Sequence, residues 1–227
     1  MTEQNGFAWR FDWGADGLRA LAPGVDVVVL VDVLRFTTAV TVAVERGVVV
    51  RPIATSGPTG RAWELSPRWI GEHPAGASLS LTSLNGATLA LAAAEAGVAT
   101  VLAACFRNAG AVAAAIVALG VQTAAVIAAG EAGRPTVDDF MGAGAVLAAL
   151  DPAASVSAPG CSPEAAAARA AFVAARPRLP EVLAACTPGR ELAGRGLAED
   201  VAASAEVDVS SAVPVLRDGL FVALPPN

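Results

Sequence analysis

The chain has no lysine and no tyrosine, and it carries one histidine, three cysteines and two methionines among 227 residues. All 15 of its basic residues are arginine. These gaps exclude several chemistries: a phosphate-cradling P-loop lysine, a Schiff-base lysine, the lysine-assisted aspartyl phosphatases of the haloacid dehalogenase type, and a two-histidine zinc site. A Ser-His-Asp triad would have to be built on His73 alone. The alanine- and arginine-rich composition fits GC-rich coding, but the exclusions hold whatever the cause. Cys105, Cys161 and Cys186 are odd in number and form no CxxC pair, which fits a reducing cytosol rather than a secreted disulfide scaffold.

The net charge is −6 and the arginines are scattered, so the chain offers no basic face for a phosphate backbone, and nucleic acid is not an expected partner. The start, MTEQNGFAWRFDWG, has neither the basic opening nor the apolar run of a signal peptide. Residues 108–130 carry no formal charge and approach membrane-spanning length, yet Gly120 and Gln122 split them into AVAAAIVAL and TAAVIAA, a buried helix followed by a buried strand. The expectation is a cytoplasmic protein without a membrane segment. With 55% hydrophobic residues, the chain suits one globular α/β domain over 1–227, with a break near 151–161 if it divides into two close lobes.

Apolar runs and their punctuation alternate along the chain. Strands are expected at 27–31, 48–53, 78–82, 98–104 and 123–129, and helices at 36–47, 87–96, 109–119 and 137–150. Residues 54–77, rich in Gly, Pro and Trp, read as loop with a short helix. After Pro152 come a helix opened by SPEA, at 162–175, and short helical pieces at 181–185 and 197–205. Asp218-Gly219 between apolar runs predicts a terminal β-hairpin. Near-continuous apolar strands between helices predict a three-layer α/β/α architecture with a largely parallel or mixed sheet. GAGAVL from Gly142 falls inside a helix, so its glycines read as helix packing rather than a dinucleotide fingerprint. Trp9, Trp13, Trp63 and Trp69 read as packing residues of the N-terminal segment and the irregular loop, and His73 as a solvated loop residue.

Ligands of open α/β sheets bind beyond the carboxyl ends of the strands. There the chain places Asp32 and Arg35, then Ser83, Asn85 and Gly86, then Arg107 and Asn108, then Glu131, Arg134, Asp138 and Asp139. Carboxylates suited to a hard cation thus accompany arginines and helix N-termini suited to an anion. Simpler roles exist for each residue: Asn85, Asn108 and Asp138 as N-caps, and Asp32 with Arg35 as a structural ion pair. A carboxylate closing the buried run VVVLV must in any case be paired, solvated or metal-bound.

These segments resemble the 2-phosphosulfolactate phosphatase family. VLVDVLRFTTA is similar to its DVLRATTT segment, TSLNGAT to its TTNGT, CFRNAGAVA to its asparagine before an alanine-rich helix, and AAGEAGRPTVDDFMGAG to its CAGTxGxxSxEDxxxAG. The ending GRELAGRGLAEDV with VPVLRDG also resembles the family's, so the likeness runs from Val25 onward. It implies a magnesium-dependent phosphatase that hydrolyses 2-phospho-3-sulfolactate to 3-sulfolactate and phosphate, a step of coenzyme M biosynthesis in methanogens. Carried onto this chain, the resemblance implies catalytic roles for Asp32, Arg35 and Asp138. It implies substrate contacts by Thr37, Thr38, Asn85, Gly86, Arg107 and Asn108. Mg2+ is expected on Asp32 with at least one of Glu131, Asp138 and Asp139, and Arg35 and Arg107 are expected to share one anion cleft. A homo-oligomer, in its simplest form a dimer, is expected.

Two departures stand out. Residues 56–70 are contracted relative to the family's GER and GNSP segments, with Leu65-Ser66-Pro67 similar to the latter, and Glu131 replaces the threonine of CAGT. Three readings stay open on the sequence: the phosphatase, a non-catalytic small-anion-binding relative, and a hydrolase of another small phosphoester.

Overall fold

The computed structural model describes residues 4–54, 64–151 and 160–225. The described strands form one eight-stranded sheet in the order β1-β6-β2-β5-β7-β8-β3-β4. Four of them, β1 (Trp9–Trp13), β6 (Ala124–Ala128), β2 (Val27–Val31) and β5 (Thr100–Ala104), run parallel. The terminal hairpin β7 (Pro214–Arg217) and β8 (Leu220–Ala223) is inserted antiparallel between β5 and the parallel pair β3 (Val49–Ile53) and β4 (Ser78–Thr82). The hairpin turns at Asp218-Gly219, both with positive φ, as predicted from that dipeptide. It lies in the middle of the sheet because Val215 and Phe221 are core residues.

β2 explains why its sequence shows no polar alternation. Val27, Val29 and Val31 enter one core with α5 (Ala109–Ala118), α6 (Val137–Leu150), α7 (Pro163–Ala175) and α8 (Leu179–Ala185). Val28 and Leu30 enter the opposite core with α1 (Gly14–Leu21), α2 (Phe36–Glu45) and α4 (Gly86–Glu95). Both faces are covered, so the expected α/β/α layering is present. The register pairs Val31 with Ala104 and with Ala128, so Asp32, Cys105 and Ala129 leave the sheet at one level.

Three short helices complete the described chain: α3 (Pro67–Gly71), α9 (Thr187–Gly194) and α10 (Ala198–Ser204). The short helix expected in 54–77 is α3, capped by Ser66. β1 and α1 were not foreseen, nor was α9. Trp13 stacks on Phe140, and Phe11 packs edge-on to Trp13. Trp63 and most of the 151–161 break lie outside the described residues. The 108–130 stretch is α5 followed by β6, and among the described residues no helix is long and apolar enough to cross a membrane. The three cysteines are free.

GAGAVL lies within α6, as expected. A Cβ at Gly144 would stand 2.1 Å from the Ala168 carbonyl oxygen of α7, closer than any real contact. Backbone carbonyls yield little, so Gly144→Ala should lower stability by about 1–3 kcal/mol in a urea titration. An unchanged midpoint would show that α6 and α7 separate freely.

Candidate active site

Asp32 leaves β2 at the buried end of VVVLV and is itself buried. Its Oδ1 accepts from the Phe36 amide at 3.1 Å, and its Oδ2 from the Gly86 amide at 2.9 Å and the Ser83 hydroxyl at 3.3 Å. The carboxylate thus takes the free amides at the start of α2 and α4, where helix dipoles favour negative charge. Gly86 is needed for this approach, because a Cβ there would lie 2.6 Å from Asp32 Oδ2 and 2.4 Å from the Phe36 ring. Burial pushes the Asp32 carboxyl up, the three donors pull it back, and Glu131 raises it further.

Asp138 and Asp139 occupy the first turn of α6 and are both buried. Asp139 bridges two strand ends, accepting from the Val33 amide at 2.7 Å and the Gly130 amide at 2.8 Å. Asp138 Oδ1 is buried without a hydrogen-bond partner among the described residues. Desolvation pushes Asp138 up to about 6, with the nearby Thr136 hydroxyl pulling it back and the Asp32 charge raising it, while desolvation and the charges of Asp138 and Asp32 raise Asp139. These carboxylates therefore feel one another.

A raised carboxyl binds its proton more tightly folded than unfolded, so this group makes stability fall as pH rises from the ordinary 3.8 through about 6. In protein free of divalent cations, Asp138→Asn should flatten the fall in the urea midpoint between those pH values. A parallel profile for both proteins would show that Asp138 does not titrate there.

Arg35 does not pair with Asp32. Its Nη1 donates to Asp200 Oδ2 at 2.6 Å, and Asp200 Oδ1 accepts from the Ser66 hydroxyl at 2.6 Å, so α10 and the start of α3 clamp the arginine. Arg107 reaches the other end of α10, bonding the Ala203 carbonyl at 2.9 Å and Glu206. Both arginines meet one helix, but only Arg35 lines the adjoining cavity of about 140 Å³, whose other walls are Leu34, Leu65, Glu131, Pro188, Glu191, Leu192 and Arg195.

The remaining predicted contacts are used differently. Thr37 and Thr38 are fully buried, and their hydroxyls donate to the carbonyls of Asp32 and Val33, both at 2.8 Å. Asn108 is fully buried, accepts from the Cys105 amide at 2.9 Å and donates to the Ala103 and Ala212 carbonyls, which ties the β5 exit to the segment before β7. Asn108 and Asn85 hold the N-cap positions of α5 and α4, as expected, but neither side chain makes a capping hydrogen bond there. Asp138 lies inside α6, which Thr136 precedes. The structure thus gathers Asp32, Glu131, Asp138 and Asp139 electrostatically and sets Arg35 beside Glu131, while Thr37, Thr38 and Asn108 hold backbone. Asp200, Ser66 and Arg195 are not singled out by the sequence, although all three lie in segments that resemble the family's: Ser66 in Leu65-Ser66-Pro67, and Arg195 and Asp200 in GRELAGRGLAEDV.

Among the described residues, no group of three or more His, Cys, Asp or Glu side chains is arranged to hold a metal ion. Magnesium, however, keeps several waters and takes one or two protein carboxylates plus substrate phosphate, and the orphaned Asp138 Oδ1 suits that mode. No curated protein matches the chain significantly. The sequence model of the family described as 2-phosphosulpholactate phosphatase matches residues 56–219, well over half the chain, beginning after the Asp32 and Arg35 segment.

Proposed function

Because the chain belongs to the 2-phosphosulpholactate phosphatase family, we propose that it hydrolyses 2-phospho-3-sulfolactate, or a similar small phosphorylated acid, to the hydroxy acid and phosphate with the aid of Mg2+. The observation that carries this reading is the set of mutually interacting carboxylates, one with an unpartnered buried oxygen and another, Glu131, lining a cavity walled by a clamped arginine.

Asp138 would hold the cation together with either Glu131 or Asp32 Oδ1, which has one donor where Oδ2 has two. Asp139 spends each oxygen on a backbone amide and acts as a strut between strand ends. When bound, magnesium supplies charge neutralisation at the phosphoryl group and acidifies water. Arg35, its orientation fixed by Asp200, presents a planar fork to phosphate oxygens at the cavity wall. In the reaction a water oxygen forms the new P–O bond, the ester P–O bond breaks, and the proton given up by the water is transferred to the departing alkoxide.

The test is phosphate release from a panel of small phosphoesters, with Mg2+ and with EDTA. Cation-dependent release from 2-phospho-3-sulfolactate or a related phosphorylated acid is the expected result. Binding of 3-sulfolactate with no ester hydrolysed would overturn the phosphatase reading in favour of an anion-binding protein.

A further inference from the structure

Resting on the phosphatase reading, we propose that Arg195, at the end of α9, recognises an acidic group of the substrate other than its phosphate. Among the described residues the cavity has two cationic walls, Arg35 and Arg195. They differ in how they are anchored. Arg35 has a buried side chain locked onto Asp200 at 2.6 Å, whereas Arg195 is 63% exposed and stands 4.0 Å from Glu191. An exposed pair at that separation contributes little and exchanges readily for an incoming anion. Arg107, the other arginine after a strand, lies on Ala203 and Glu206 instead and does not line the cavity.

The backbone of Arg195 is held although its side chain is exposed: its amide closes α9 by donating to the Glu191 and Leu192 carbonyls. That wall is otherwise hostile to anions, with Glu191 beside the carbonyl end of a helix. Recognition of a second acid therefore falls on the Arg195 guanidinium, and its removal leaves a negative wall. The ligand class is a small phosphate ester bearing a carboxylate or sulfonate, with phosphate at the clamped arginine and the second acid at the exposed one.

Arg195→Gln and Arg195→Lys should be compared with the parent protein on 2-phospho-3-sulfolactate, 2-phospholactate and 4-nitrophenyl phosphate, which carries no second acid. In Arg195→Gln the ratio of kcat/KM for phosphosulfolactate to that for 4-nitrophenyl phosphate should fall at least about tenfold, mainly through KM, with partial recovery in Arg195→Lys. A matching fall for 2-phospholactate assigns the carboxylate, and no fall there assigns the sulfonate. An unchanged ratio overturns the proposal. Calorimetric titration with 3-sulfolactate separates the two ideas: weaker binding to Arg195→Gln sustains the role of Arg195 even if the parent hydrolyses no ester. Equal binding to both proteins, or none to the parent, ends it.

Discussion

Asp32→Asn should reduce phosphate release by about 10²–10³-fold or more while the protein still folds, with a stability loss of about 1–3 kcal/mol. The first number follows from removing a buried charge within the carboxylate set proposed to meet the phosphoryl group and its cation. The second follows from the hydrogen bonds. Amide donors face both oxygens of Asp32, Phe36 on one side and Gly86 on the other. Asparagine has one acceptor oxygen, so whichever way its amide turns, an NH2 group confronts a backbone N–H that loses its partner. Ser83 can turn its hydroxyl to accept, but a backbone amide cannot. The alternative of an Asp32–Arg35 ion pair predicted a different cost, an uncompensated buried arginine, and that arginine is instead neutralised by Asp200. Phosphate release and urea midpoint should be measured on the same preparation. A variant keeping a tenth or more of the activity removes Asp32 from the chemistry, and a midpoint loss far above about 3 kcal/mol assigns the carboxylate to the fold instead.

The parts of this fold that are legible from sequence are those in which a local pattern and the final environment agree. β2, β4 and α6 match their expected bounds because each local pattern suits its final environment: VVVLV is apolar throughout and fully buried, SLSLT alternates and pairs with β3, and the long stretch from Val137 to Leu150 is a mostly apolar helix packed on the sheet. β1 is less legible because WRFDW, although it alternates apolar and polar residues with the period of a half-buried strand, contains no continuous apolar run. α9 escaped because Thr-Pro-Gly at its start reads as a turn, whereas Pro188 sits in its first turn and Gly189 packs 1.9 Å, measured from a hypothetical Cβ, from the Leu183 carbonyl.

The site divides in the same way. Asp32 was legible because a carboxylate closing a buried strand demands a special environment. The partner of Arg35 was not, since Asp200 lies 165 residues away and only the packing of α10 over the strand ends brings it near. Asn108 shows the converse. Its position before a helix reads equally as a cap or a ligand, yet the structure uses its amide to tie β5 to a segment 104 residues on, through Ala212.

Asp200→Ala should be the most destabilising of these substitutions, at about 3–5 kcal/mol. Both carboxylate oxygens are engaged at 2.6 Å, by Arg35 and by Ser66, and the two charged side chains are 7% and 3% exposed. Alanine removes the carboxylate that neutralises the buried Arg35 guanidinium and leaves the Ser66 hydroxyl without its acceptor, a much larger loss than the net worth of the intact pair. Two comparisons isolate the cause. Arg68 and Glu199 join the same two elements, α3 and α10, but through side chains 67% and 75% exposed, so Arg68→Ala should cost no more than about 1 kcal/mol. If burial of one charge is what hurts, removing the other relieves it. The double variant Arg35→Met with Asp200→Leu should lose about 1–3 kcal/mol less than the sum of the single changes, read from urea midpoints. Additive losses, or an Asp200→Ala midpoint equal to that of Arg68→Ala, would show that α10 is held by its apolar contacts and that the clamp on Arg35 contributes nothing to the fold.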